Sequence, residues 1–81
     1  MSDKEHRPLY QIAAEIRRDW VNLPASANAY LIPMTQLNSV DDDYGFDSGK
    51  SVVLYFLSNA STWKGEKARA IKSELKSMVG A

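Results

Sequence analysis

The run Val52-Val53-Leu54-Tyr55-Phe56-Leu57 is the densest apolar segment of the chain. Its β-branched and aromatic residues suit a strand, and composition alone leaves helix and strand both open for 52–57. No other stretch alternates apolar and polar residues, however, so a strand here would stand without a partner. Asp47 and Ser48 precede the run, and side chains of that type accept from the first-turn amides of a helix. The sequence therefore predicts a helix over 51–60 that is hydrophobic nearly all round and central to the fold. The run is also far short of the about 20 apolar residues that a membrane-spanning helix needs.

Two further helices follow from periodicity. Leu9, Ile12, Ala13, Ile16 and Trp20 recur at helical spacing, with Gln11, Glu15, Arg18 and Asp19 on the other side. Pro8 fits the first turn of this helix, and Asn22 and Pro24 end it. Near the C-terminus Ala68, Ile71, Leu75, Met78 and Val79 form one stripe, with Ser61 or Thr62 as the expected cap and Gly80 just beyond the end. The stretch 25–40 is harder to read, because Pro33 would break a helix interior. The preferred reading is a helix from about Asn28, kinked or restarted near Pro33, with Tyr30, Met34 and Leu37 on one face. The alternative is a helix that begins at Ile32. Residues 41–49, rich in aspartate and glycine, read as a loop.

The expected fold is thus all-α, a compact three- to four-helix bundle in a single domain over residues 8–81, behind a disordered polar leader at 1–7. A chain of 81 residues has room for one core, and its 44% hydrophobic content is enough to build it. The absence of cysteine, with His6 as the single histidine, rules out a structural zinc site and a disulfide scaffold. The charged start lacks the apolar stretch of a signal peptide, which points to the cytoplasm. No nucleophile, base and orienting group can be assembled, so the protein is not expected to be an enzyme or to hold a cofactor or a small-molecule ligand.

Two motifs resemble ligand loops. Gly45-Phe46-Asp47-Ser48-Gly49-Lys50-Ser51 is similar to a phosphate-binding loop but has one residue too few between its glycines and no preceding strand. Asp41, Asp42, Asp43 and Asp47 could attract a hard cation, but their spacing fails the calcium-loop template. Both are expected to serve only as a solvated loop leading into a capped helix.

The ten basic and ten acidic residues balance overall but not locally. The aspartates sit mid-chain, whereas Lys64, Lys67, Arg69, Lys72 and Lys76 crowd the last quarter, where they could contact phosphates. Arg17 and Arg18 could extend that surface, and Glu66 and Glu74 dilute it. Few side chains on the last helix could read base edges. Among the aromatics, Trp20, Tyr55 and Phe56 fit the core. Tyr44 and Phe46 are expected to lid it, since a small domain has use for every aromatic it can bury; left exposed, they would be anchors of a binding surface.

The string from Tyr44-Gly45-Phe46-Asp47-Ser48-Gly49-Lys50-Ser51 through Val52-Val53-Leu54-Tyr55-Phe56-Leu57 to Ser58-Asn59-Ala60-Ser61-Thr62-Trp63-Lys64-Gly65-Glu66 resembles small uncharacterised proteins of actinobacterial phages and mobile elements. Residues 9–20 and Leu37-Asn38-Ser39-Val40 are similar to the same family, whereas Pro33 departs from its more ordinary helix. The resemblance implies a mobile-element context and a host bacterial cytoplasm, and it carries over no activity, cofactor or catalytic residue. Size, missing catalytic groups and this context lead to one expectation: a non-enzymatic protein that docks on a host factor or on itself, away from any membrane. A small helical nucleic-acid binder using the basic last helix is the alternative. The expected interaction surface comprises Arg17, Arg18, Tyr44, Phe46, Lys64, Lys67, Arg69, Lys72 and Lys76.

Overall fold

The computed structural model describes residues 7–80. It is all-α apart from one short hairpin: α1 (Leu9–Asp19), α2 (Ala25–Met34), β1 (Asp43–Tyr44), β2 (Asp47–Ser48), α3 (Gly49–Ser58) and α4 (Glu66–Val79). Helix α3 packs on α2 and α4, and α1 packs on both of those helices. No helix among the described residues is long and apolar enough to cross a membrane.

The predicted stripe of α1 is the buried one, with Leu9, Ile12, Ala13 and Ile16 fully inside and Trp20 nearly so. Pro8 is the extended residue just before the helix rather than part of its first turn. It has no side chain to cap the helix, so backbone does the work: Leu9 N–H donates to Asn38 C=O and Tyr10 N–H to Leu37 C=O, both at 2.9 Å. Most of the expected leader, 1–6, lies outside the described residues. Arg7 is tied down, with its guanidinium 3.1 Å from Glu15 and 2.7 Å from Glu74. The fork on the Glu74 carboxylate holds the Arg7 pKa above its usual value. Glu74 therefore faces α1 and is spent there, instead of diluting the cations of α4.

Helix α2 matches neither sequence reading. It starts at Ala25, behind an extended Pro24 whose carbonyl accepts from Ala27 and Asn28. Pro33 is its penultimate residue, close enough to the end that little regular helix is lost beyond it. The chain leaves through tight turns in which Gln36 N–H donates to Pro33 C=O and Leu37 N–H to Met34 C=O. Ala27, Leu31 and Met34 are buried, and Tyr30 packs against the edge of the core.

Residues 41–49 are not all loop. Asp43 pairs with Ser48 and Tyr44 with Asp47 in a minimal antiparallel hairpin, turned at Gly45, whose φ of +64° suits glycine. Ser48, not Asp47, caps α3 by accepting from Ser51 N–H at 3.1 Å. Helix α3 is central but not buried all round. Val52, Val53 and Phe56 face inward, while Leu54 and Tyr55 face solvent.

The last helix begins later than Ser61 or Thr62 would have it. Gly65, at φ +116°, is its N-cap, and residues 59–65 form a turn that drives Trp63 into the core. Trp63 stacks on Trp20 with ring centroids 5.4 Å apart and planes 7° from parallel. Trp20 in turn meets the Phe56 ring edge-on at 6.3 Å. The Trp63 indole N–H donates to Asp19 Oδ2 at 3.0 Å. From there Ala68, Ile71, Leu75 and Val79 line the core, and Gly80 closes α4 in the left-handed conformation.

Two outcomes follow for stability. A Cβ on Gly49 would sit 2.7 Å from Ser39 O, 2.9 Å from Val40 Cα and 3.0 Å from Asp42 O, all backbone. Gly49→Ala should therefore destabilise by about 1–3 kcal/mol, read as a drop in melting temperature of about 4–8 °C per kcal/mol for a domain of this size. Trp63→Phe keeps a ring against Trp20 but removes the N–H that meets Asp19, and should cost about 1.5–3 kcal/mol. Denaturant titration should find Trp63→Phe and Asp19→Ala less than additive, because they remove the same bond.

Candidate functional site

Helix α3 separates two surfaces of opposite chemistry. The segment 41–48, with the hairpin, leads into its N-terminal end and carries the aspartates, and the Trp63 turn leaves its C-terminal end and leads, through Lys64, into the cations of α4.

At the N-terminal end, the amides that a phosphate-binding loop would offer are already used. Gly49 N–H donates to Asp42 C=O at 2.6 Å, Lys50 N–H to Val40 C=O at 3.0 Å, and Ser51 N–H to Ser48 Oγ. The Asp42 carboxylate is also committed, accepting from Asn38 N–H and Ser39 N–H at 3.0 and 3.1 Å. Asp41, Asp43 and Asp47 remain exposed at the surface, and the aspartates do not converge on a common point.

The loop aromatics do not lid the core. Phe46 is fully exposed at the hairpin turn, and Tyr44 is about 40% exposed. Tyr55, placed in the core by its sequence neighbourhood, is 53% exposed on the outer side of α3. Together these elements form a groove of about 530 Å³ lined by Ala29, Tyr30, Pro33, Tyr44, Asp47, Val52 and Tyr55. The Tyr30 and Tyr55 rings touch across it, with centroids 5.4 Å apart and planes tilted by 31°. Among the described residues, the wall holds three tyrosines, one carboxylate and no cation, with Ala29, Pro33 and Val52 between them.

Along α4 and the turn before it, Lys64, Arg69, Lys72 and Lys76 line a cleft of about 310 Å³ with Trp63, Gly65 and Ser73. Among the described residues, no carboxylate lines it. Lys72 is the innermost cation: its ammonium donates to Trp63 C=O at 2.7 Å and lies 6.0 Å from the centre of the Trp63 ring. Burial, and then the neighbouring charges of Lys64 and Lys76, lower the Lys72 pKa from its usual value.

The remaining candidates lie elsewhere. Lys67 projects into a small hollow with Arg18, Glu15 and Asp19, where two cations and two carboxylates balance. Arg17 is exposed in the last turn of α1, where a cation suits the helix dipole. The arginines of α1 therefore do not extend the α4 cleft. Sequence reasoning missed Tyr55 as a surface group by assigning it to the core, and placed Tyr30 on one face with Met34 and Leu37 without bringing the two together. The signal was present: α2 and α3 carry apolar residues on more sides than one small core can cover. Comparisons with protein-family models, curated proteins and solved structures found no match to this chain.

Proposed function

We propose that the protein is a non-enzymatic docking module, a small protein of the kind that actinobacterial phages and mobile elements encode, which binds a host protein or a second copy of itself. The groove between α2, α3 and the hairpin is its docking site. The observation that carries this reading is the convergence of Tyr30, Tyr44 and Tyr55 on one groove, with Phe46 fully exposed on the adjoining hairpin turn, while a separate set of apolar side chains fills the core. Aromatics held rigidly by packed elements bury much area at little entropic cost, which is why they anchor protein interfaces. Here the hairpin is held by the hydrogen bonds from Gly49 N–H to Asp42 C=O and from Lys50 N–H to Val40 C=O at the start of α3.

A photoreactive side chain at position 46, introduced in cells that naturally make the protein, should form a discrete adduct with one protein species or with a second copy. The same group at position 69 should not, and Tyr55→Ala should weaken the position-46 adduct. Equal or absent adducts at 46 and 69 would refute the reading.

A second reading rests on the basic cleft. Four cations without a carboxylate suit contact with the phosphates of a nucleic acid. Insertion of α4 into a major groove is less well supported, because residues 59–65 make a longer link than the roughly three- to four-residue turn of DNA-binding helix pairs. If the cleft binds nucleic acid, gel retardation should show affinity falling with salt with a log–log slope of about −0.9 per phosphate contact. Arg69→Ala with Lys76→Ala should flatten that slope by about 2, regardless of sequence. No retardation at low salt would remove this reading.

A further inference from the structure

We propose that the groove at Tyr30, Tyr44, Asp47 and Tyr55 receives an arginine-bearing segment of a partner protein; this rests on the docking reading above. The wall is electron-rich on several sides. Tyr30 and Tyr55 form a joined aromatic platform from two helices, and Tyr44 faces the same space from the hairpin. Asp47, adjacent to Tyr44 across the hairpin, adds a carboxylate at the rim. Such a combination attracts a cation twice, through the ring faces and through the carboxylate.

The shape favours arginine over lysine. A guanidinium is flat, stacks on aromatic rings and presents paired N–H donors to a carboxylate, whereas an ammonium is a compact, strongly hydrated point charge. At about 530 Å³ the groove is larger than one side chain needs, so flanking residues of an extended segment also fit, against Ala29, Pro33 and Val52. Charge placement adds orientation. Asp41 and Asp43 lie beside the groove in the chain, whereas Lys64, Arg69, Lys72 and Lys76 line a separate cleft that shares no residue with it. A cationic segment is drawn to the groove and repelled from the α4 cleft.

The test is an NMR titration of the full ¹⁵N-labelled chain with the blocked peptide acetyl-Gly-Arg-Gly-Arg-Gly-amide, carried to millimolar concentration. Parallel arms use the citrulline analogue, which keeps the shape and loses the charge, and the lysine analogue. Shifts should centre on Tyr30, Tyr44, Asp47 and Tyr55, weaken with salt, and follow the order arginine, lysine, citrulline. Citrulline should bind roughly tenfold more weakly or worse, the size expected when a cation–π contact and a charged hydrogen bond are lost together. Asp47→Asn, at an exposed position whose side chain caps no helix, should lower arginine-peptide affinity while leaving the spectrum folded.

Equal binding of citrulline and arginine, shifts centred on another face, or no shifts at all would overturn the inference. Photo-crosslinking at position 46 does not depend on the partner's charge. A failed titration with crosslinking retained removes the arginine inference alone, and loss of crosslinking removes the docking reading itself.

Discussion

Backbone amides at the start of a helix have no partner within it, and the way two helices here meet that need organises the fold. The carbonyls of Leu37 and Asn38 accept from the first residues of α1, and those of Val40 and Asp42 accept from the first residues of α3. One short irregular segment thus closes the N-terminal ends of two helices. It can do so only by lying flat against α3, and Gly49 is the residue that allows it, because any side chain there would strike Ser39, Val40 and Asp42. The hairpin that carries Tyr44 and Phe46 grows out of the same segment, so the tyrosine groove inherits its rigidity from a capping arrangement.

At the opposite end, the stack of Trp20 and Trp63 performs the matching task for α1 and α4. Asp19 sits at the C-terminal end of α1, where the helix dipole disfavours a carboxylate, and its bond from the Trp63 indole offsets that placement. The turn that buries Trp63 also delays α4 until Gly65 and brings Lys64 beside Lys72 and Lys76. Core packing and the basic cleft are consequences of one turn.

The amphipathic helices α1 and α4 were legible because their buried stripes alternate with charge. The cap at Ser48 was legible too, since its hydroxyl stands immediately before an apolar run. Helix α2 was not, because Ile32 is exposed while Leu31 and Met34 are buried, leaving no apolar-to-polar contrast to read. In α3, Leu54 and Tyr55 are apolar but outward-facing, so the run suggested burial on all sides. The cations of α4 were visible as a group, but their sorting was not. Which of them share a cleft depends on the Trp63 turn, and the Arg7 bond to Glu74 depends on residues 67 positions apart. The aromatic groove joins α2, the hairpin and α3, a juxtaposition that no local pattern encodes.

The shared strap at residues 37–42 also bears on how the chain matures during synthesis from its N-terminus. Helix α1 is made first, yet the carbonyls that complete its first turn belong to residues 37 and 38, and its tryptophan partner is residue 63. Until those arrive, α1 is a short helix with a proline before it and no cap, a state in which isolated helices of this length are marginal. Helix α1 is therefore completed by segments made after it, and its ordering should wait until residues 37–63 have been made.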